Sequence, residues 1–172
     1  MKRIALLMVT FAVVAGVAAF SLPASGHTDE PAALTSGVTI PPGYRDWKLI
    51  SVAHEEGNLN DLRAILGNDV AIKAYREGKI PLPDGTIIAR IAWSYVPLGE
   101  SSEAFGHPQS FVAGKPTNLQ FMVKDSKRYA STGGWGFAQF NDGKPAGESA
   151  QTCFSCHEIV KARDFVFNRY AP

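Results

Sequence analysis

The residues of this chain best suited to chemistry are Cys153, Cys156 and His157, which fall in the run Cys153-Phe154-Ser155-Cys156-His157. Two thiols three residues apart come to one face of a single helical turn. From there each can form a thioether with a vinyl group of the same porphyrin, and the imidazole that follows can ligate the iron. C-x-x-C-H is the attachment pattern of a c-type haem. Other uses of the pair fit less well. These are the only two cysteines, whereas a disulfide-stapled secreted domain carries more. A thioredoxin-type pair sits early, between a strand and a helix; this one lies 16 residues from the end. Zinc would want four ligands, and no second C-x-x-C or H-x-x-x-H exists to supply them.

The motif needs a helix beneath it, and Glu148 to about Lys161 is read as that helix. Most of the rest reads as strand. Trp47–His54 alternates in part, with Trp47 and Leu49 on one face and Ile50 and Val52 on the other. Leu62–Leu66 is a second short apolar run. Asn68 can cap a helix over 70–77 that Gly78 stops. Pro81 and Pro83-Asp84-Gly85 make a turn. Thr86–Val96 is the longest strand, apolar on both faces and therefore central. Pro97–Pro116 is read as a long loop, 117–124 and 135–140 as strands, and 141–145 as a turn. Strands outnumber helices, so the fold class is α+β.

Composition limits the possibilities further. Lys2 and Arg3, an uncharged apolar run to Phe20 and small residues before His27 read as a signal peptide over 1–26. The alternative is an N-terminal membrane anchor. Export to a bacterial periplasm agrees with c-type maturation, which is completed outside the cytoplasm. A polar lead-in over 27–43 follows, and then one domain over 44–172. Removing Lys2 and Arg3 leaves 15 basic and 16 acidic residues. That balance, without a basic cluster, argues against a nucleic-acid partner.

Several segments together resemble the cytochrome P-460 family, and within it cytochrome c′-beta. They are Tyr44-Arg45-Asp46-Trp47, Asp84-Gly85-Thr86, the run from Val123 to Tyr129, Gly134-Trp135, the haem motif, and Asp164-Phe165-Val166-Phe167 with Tyr170. The resemblance implies a twisted antiparallel sheet with a few flanking helices, commonly as a homodimer. It also implies one haem c, five-coordinate, with His157 as its sole protein ligand and an open opposite face. Cytochromes P-460 proper carry a lysine, cross-linked to the porphyrin, on the strand after the Asp-Gly-Thr turn, and they oxidise hydroxylamine. That position holds Arg90 here. A guanidinium stays protonated and is a poor nucleophile, so the chain looks more like the nitric-oxide-binding cytochrome c′-beta.

The expected roles follow, each beside a plainer reading. Arg90 contacts a haem propionate or a bound ligand, or else it pairs with a nearby carboxylate, since a cation between Ile88 and Ala92 needs an anion. Phe121, Trp135, Phe137 and Phe140 line the pocket or are simply core. Glu148 relays protons or is an ordinary acidic residue in a helix's first turn. Met122, His54 and His107 are the candidates for a sixth ligand, and Lys73 or Lys79 could replace the missing lysine only by reaching the ring. Functionally, the chain binds NO for scavenging or carriage, or it is an oxidoreductase acting on hydroxylamine, NO or peroxide. Plain electron transfer with a periplasmic partner is the third reading.

Overall fold

The computed structural model describes residues 37–146 and 150–171. The leader over 1–26, the first part of the lead-in and Glu148 lie outside the described residues. Six strands form one antiparallel sheet in chain order: β1 (Lys48–Glu55), β2 (Asp61–Gly67), β3 (Ile87–Pro97), β4 (Phe111–Lys124), β5 (Trp135–Asn141) and β6 (Lys144–Ala146). Among the described residues three α-helices accompany them: α1 (Asp69–Arg76), α2 (Gly99–Phe105) and α3 (Ala150–His157). This is the expected α+β arrangement.

The local reasons are visible residue by residue. Asn68 caps α1 by accepting from Ala71 N–H at 3.0 Å. The same oxygen accepts from Ile87 N–H at 3.1 Å, and its amide donates to Gly85 O at 2.8 Å. One side chain thus starts the helix and ties it to the turn that launches β3.

Paired residues across a sheet share a face, so the register sorts the core in two. Ile88, Met122 and Phe137 line up on one face, as do Arg90, Gln120 and Gln139. Ile50, Ile65, Ile72 and Trp135 complete that core, and Cys153, Phe154 and Phe165 pack against it. The other face carries Leu66, Ala89, Phe121 and Phe140, covered by Val38, Ile40, Tyr44 and Trp47 from the segment before β1. The haem-motif helix and the N-terminal segment therefore lie on opposite sides of the sheet.

Four readings from sequence need correction. Ile50 and Val52 do not share a face: a bulge between Leu49 and Ser51 turns Ile50 fully inward and leaves Val52 69% exposed. Pro97–Pro116 is not a loop, because it contains α2 and the first six residues of β4, where Phe111, Val112 and Ala113 pair with Pro97, Val96 and Tyr95. Pro116 itself lies within β4. It is tolerated where the ladder is irregular, opposite Trp93. Lys144-Pro145-Ala146 is a short edge strand rather than turn. The motif helix ends at His157 and continues as a 3-10 segment over Glu158–Arg163.

Candidate functional site

Cys153 and Cys156 stand one turn apart on α3, neither in a disulfide, with Cys153 half-buried against the sheet and Cys156 exposed. His157 is the last residue of the helix. Its Nδ1 lies 2.7 Å from the carbonyl oxygen of Phe165. A carbonyl only accepts, so Nδ1 carries the proton and Nε2 keeps its lone pair. Burial holds the imidazole below its ordinary pKa, opposed by the bond to Phe165. A neutral ring with Nε2 free is the form that binds a metal. The ring sits between Phe137 at 5.0 Å and Phe167 at 5.1 Å, centroid to centroid.

The carbonyl that orients His157 comes from an unusual turn. Asp164 and Phe165 both have positive φ, 54° and 63°, a region that residues with a Cβ seldom occupy. The Phe165 ring packs 5.3 Å from Phe154, which lies between the two cysteines. It also fills the space beside Gly133, where a Cβ would fall 2.4 Å from it. Asp164 accepts from Lys124 Nζ at 2.6 Å and from Leu82 N–H at 2.8 Å.

Arg90 lies on the same sheet face as Phe137 and the motif helix. Its Nη2 donates to Asp61 Oδ2 at 2.7 Å, and Nη1 donates to Asn118 Oδ1. Asp61, whose side chain is 2% exposed, also accepts from Arg63 Nε at 2.6 Å. Arg63 pairs in turn with Glu55. Desolvation, and next the Arg63 charge, lower the pKa of Arg90, against the pull of Asp61. The carboxylate that a cation on this strand requires is therefore Asp61. Two engaged N–H groups leave others on the guanidinium for a further acceptor.

The aromatic candidates divide between the faces. Trp135 and Phe137 are buried on the face that α3 covers, and Trp135 Nε1 has no hydrogen-bond partner among the described residues. Phe121 and Phe140 are buried on the opposite face, 6.0 Å apart in an edge-on pair. Strand alternation sends those two away from α3 and His157. Among the sixth-ligand candidates, His54 stacks on Tyr95 at 4.1 Å on that far face, and His107 lies beyond the end of α2. Met122 shares the α3 face and packs into its core. Lys73 and Lys79 are exposed. The sequence reading passed over Lys124, Asp164 and Asp61. The signal available for Asp61 was the unpaired cation on β3.

The donor set fits a covalently held haem. Two thiols outside any disulfide are one turn apart, an imidazole is fixed by its far nitrogen, and aromatic rings form the wall around it. The haem would be held by Cys153, Cys156 and His157, and bound there it supplies an iron able to take a small ligand. A model of the cytochrome P460 family matches residues 41–168. No curated protein matches the chain.

Proposed function

The chain belongs to the cytochrome P460 family, and from that premise we propose that it is an exported mono-haem c-type cytochrome that binds nitric oxide at an iron ligated, on the protein side, by His157 alone. Cys153 and Cys156 anchor the porphyrin, and Phe165 O fixes the plane of the imidazole. Phe137 and Phe167 flank the imidazole on the protein side of the iron. Residues 1–26 direct the chain to the periplasm. A homodimeric state agrees with Leu49 and Val52 exposed on the edge strand β1.

One observation favours binding over hydroxylamine oxidation. At the position of the family's cross-linking lysine stands Arg90, a guanidinium held by Asp61 and Asn118. It offers no amine to attack a porphyrin carbon, and its two partners hold it in place. The remaining N–H groups of Arg90 can serve a propionate or a bound ligand.

The test is an absorption spectrum of the protein matured in a host that attaches c-type haem, oxidised, then reduced, with and without NO. A high-spin ferrous Soret band at ordinary c-type positions, shifted by NO and unresponsive to hydroxylamine, is expected. A far red-shifted ferrous band together with hydroxylamine turnover would replace this reading with the oxidoreductase one. A six-coordinate low-spin ferrous spectrum would point to Met122 and electron transfer. Arg90→Leu should alter the Soret band or NO binding; a variant that matches the parent in both would remove Arg90 from the pocket.

A further inference from the structure

We infer that Lys124 and Asp164 are a positioning pair for the axial histidine, their buried ion pair holding the left-handed turn that aims the Phe165 carbonyl at His157 Nδ1. The inference rests on His157 being the iron ligand, as proposed above.

The two side chains are 8% and 5% exposed and 2.6 Å apart. A buried ion pair is weak evidence of stabilisation, because desolvation offsets its attraction. Its geometry here is specific instead. Both carboxylate oxygens of Asp164 are used, one by Lys124 and the other by Leu82 N–H. The ammonium has a second acceptor in Gly133 O at 3.2 Å and lies 4.9 Å from the centre of the Trp135 ring. Lys124 is the last residue of β4, Trp135 is the first of β5, and Gly133 lies in the turn just before it. The sheet therefore grips Asp164 through its carboxylate.

Phe165 is gripped separately. Its ring occupies the cradle at Gly133 and rests on Phe154 of the motif helix. Between these two grips the chain takes φ values of 54° and 63°. Aspartate tolerates that region, whereas phenylalanine enters it only where its surroundings hold it. The result is one carbonyl, fixed relative to both the sheet and α3, 2.7 Å from Nδ1. The strength of such a bond sets the basicity and ring plane of a metal-bound imidazole, and with them the potential of the iron.

A plainer role, stapling the C-terminal tail to the sheet, would leave the iron's properties unchanged. The experiment therefore reads the iron. Haem-loaded parent protein is compared with Asp164→Asn, with the double variant Lys124→Met/Asp164→Asn, and with Leu66→Ala, a core truncation on the far face. Asp164→Asn keeps an oxygen for Leu82 N–H and a residue type that accepts positive φ, so it carries the test if the double variant does not mature. The readouts are the ferrous iron–histidine stretching band in resonance Raman and the reduction potential. Both pair variants should lower the band frequency and move the potential to more positive values, while Leu66→Ala leaves both in place. Pair variants with the parent's band and potential would overturn the inference. A parent without any iron–histidine band would instead sink the ligand assignment beneath it.

Discussion

Removing Asp61 should destabilise the protein more than removing Arg90, although the two are partners. Asp61 is the shared anion of Arg63 and Arg90, at 2.6 and 2.7 Å, and its side chain is 2% exposed. In Asp61→Ala, two guanidinium groups, each on a side chain 14% exposed, face one another with no carboxylate between them. Deleting one member of a buried ionic cluster costs about 3–5 kcal/mol, mostly from the charge left behind. Arg63 retains Glu55 and Arg90 retains Asn118, which places the cost near ~3 kcal/mol, the lower end of that range. In Arg90→Leu the aspartate keeps Arg63, so only a hydrogen-bond vacancy remains, worth about 1–2 kcal/mol. For a domain of this size each kcal/mol moves Tm by roughly 3–4 °C. Asp61→Ala should therefore lower Tm by about 10 °C and Arg90→Leu by roughly one third to two thirds of that. The assay is thermal unfolding of the haem-loaded variants followed by far-UV circular dichroism. Equal losses, or a larger loss in Arg90→Leu, would show that Asp61 is not the hub of the cluster.

Asn68→Ala removes a helix cap together with two bonds to the β3 turn; urea unfolding should show a loss of about 2 kcal/mol, at the upper end for caps. Tyr75 carries a buried hydroxyl with no hydrogen-bond partner among the described residues, so Tyr75→Phe should be neutral or raise stability by up to about 1 kcal/mol. Burial also pushes the Tyr75 phenol up to about 12, ahead of smaller effects from Arg163 and Asp164. A folded pKa above the unfolded value near 10 means stability that is complete below pH ~10 and lost as pH rises toward ~12; in Tyr75→Phe this part of the alkaline loss should disappear from urea midpoints taken between pH 9 and 11. Cys156→Ser leaves Cys153 as the sole anchor, so denatured protein should keep haem through one thioether and show the pyridine haemochrome of a singly attached porphyrin. A spectrum identical to the parent would remove Cys156 from the linkage.

What could be read from the chain divides along a physical line. Contacts local in sequence were legible. The cap at Asn68, the turn before β3 and the C-x-x-C-H turn depend on residues within a few positions of one another, and the structure places those elements where their composition puts them. The need for an anion beside Arg90 was also legible, since a cation on an apolar strand has to be neutralised. The identity of that anion was not: Asp61 lies 29 residues away, and only the register that sets Ile65 opposite Arg90 brings it near. The bulge at Ile50 was hidden for a similar reason. One inserted residue reverses alternation for everything beyond it, and Leu49-Ile50-Ser51 carries no glycine to mark the place. Sheet faces could not be assigned before the register was known, so four aromatic residues with equal claims on the pocket separated into two pairs, with only Trp135 and Phe137 on the side of α3. Lys124 and Asp164 were the least visible. They are 40 residues apart, and each reads alone as an ordinary surface charge at the end of an element. Their burial follows from the tail folding back across β4 and β5, with the Phe165 ring seated in the gap that a missing Cβ leaves at Gly133. The haem motif names the groups that hold the iron, but the groups that hold the histidine come from three separate parts of the chain, and only tertiary structure brings them together.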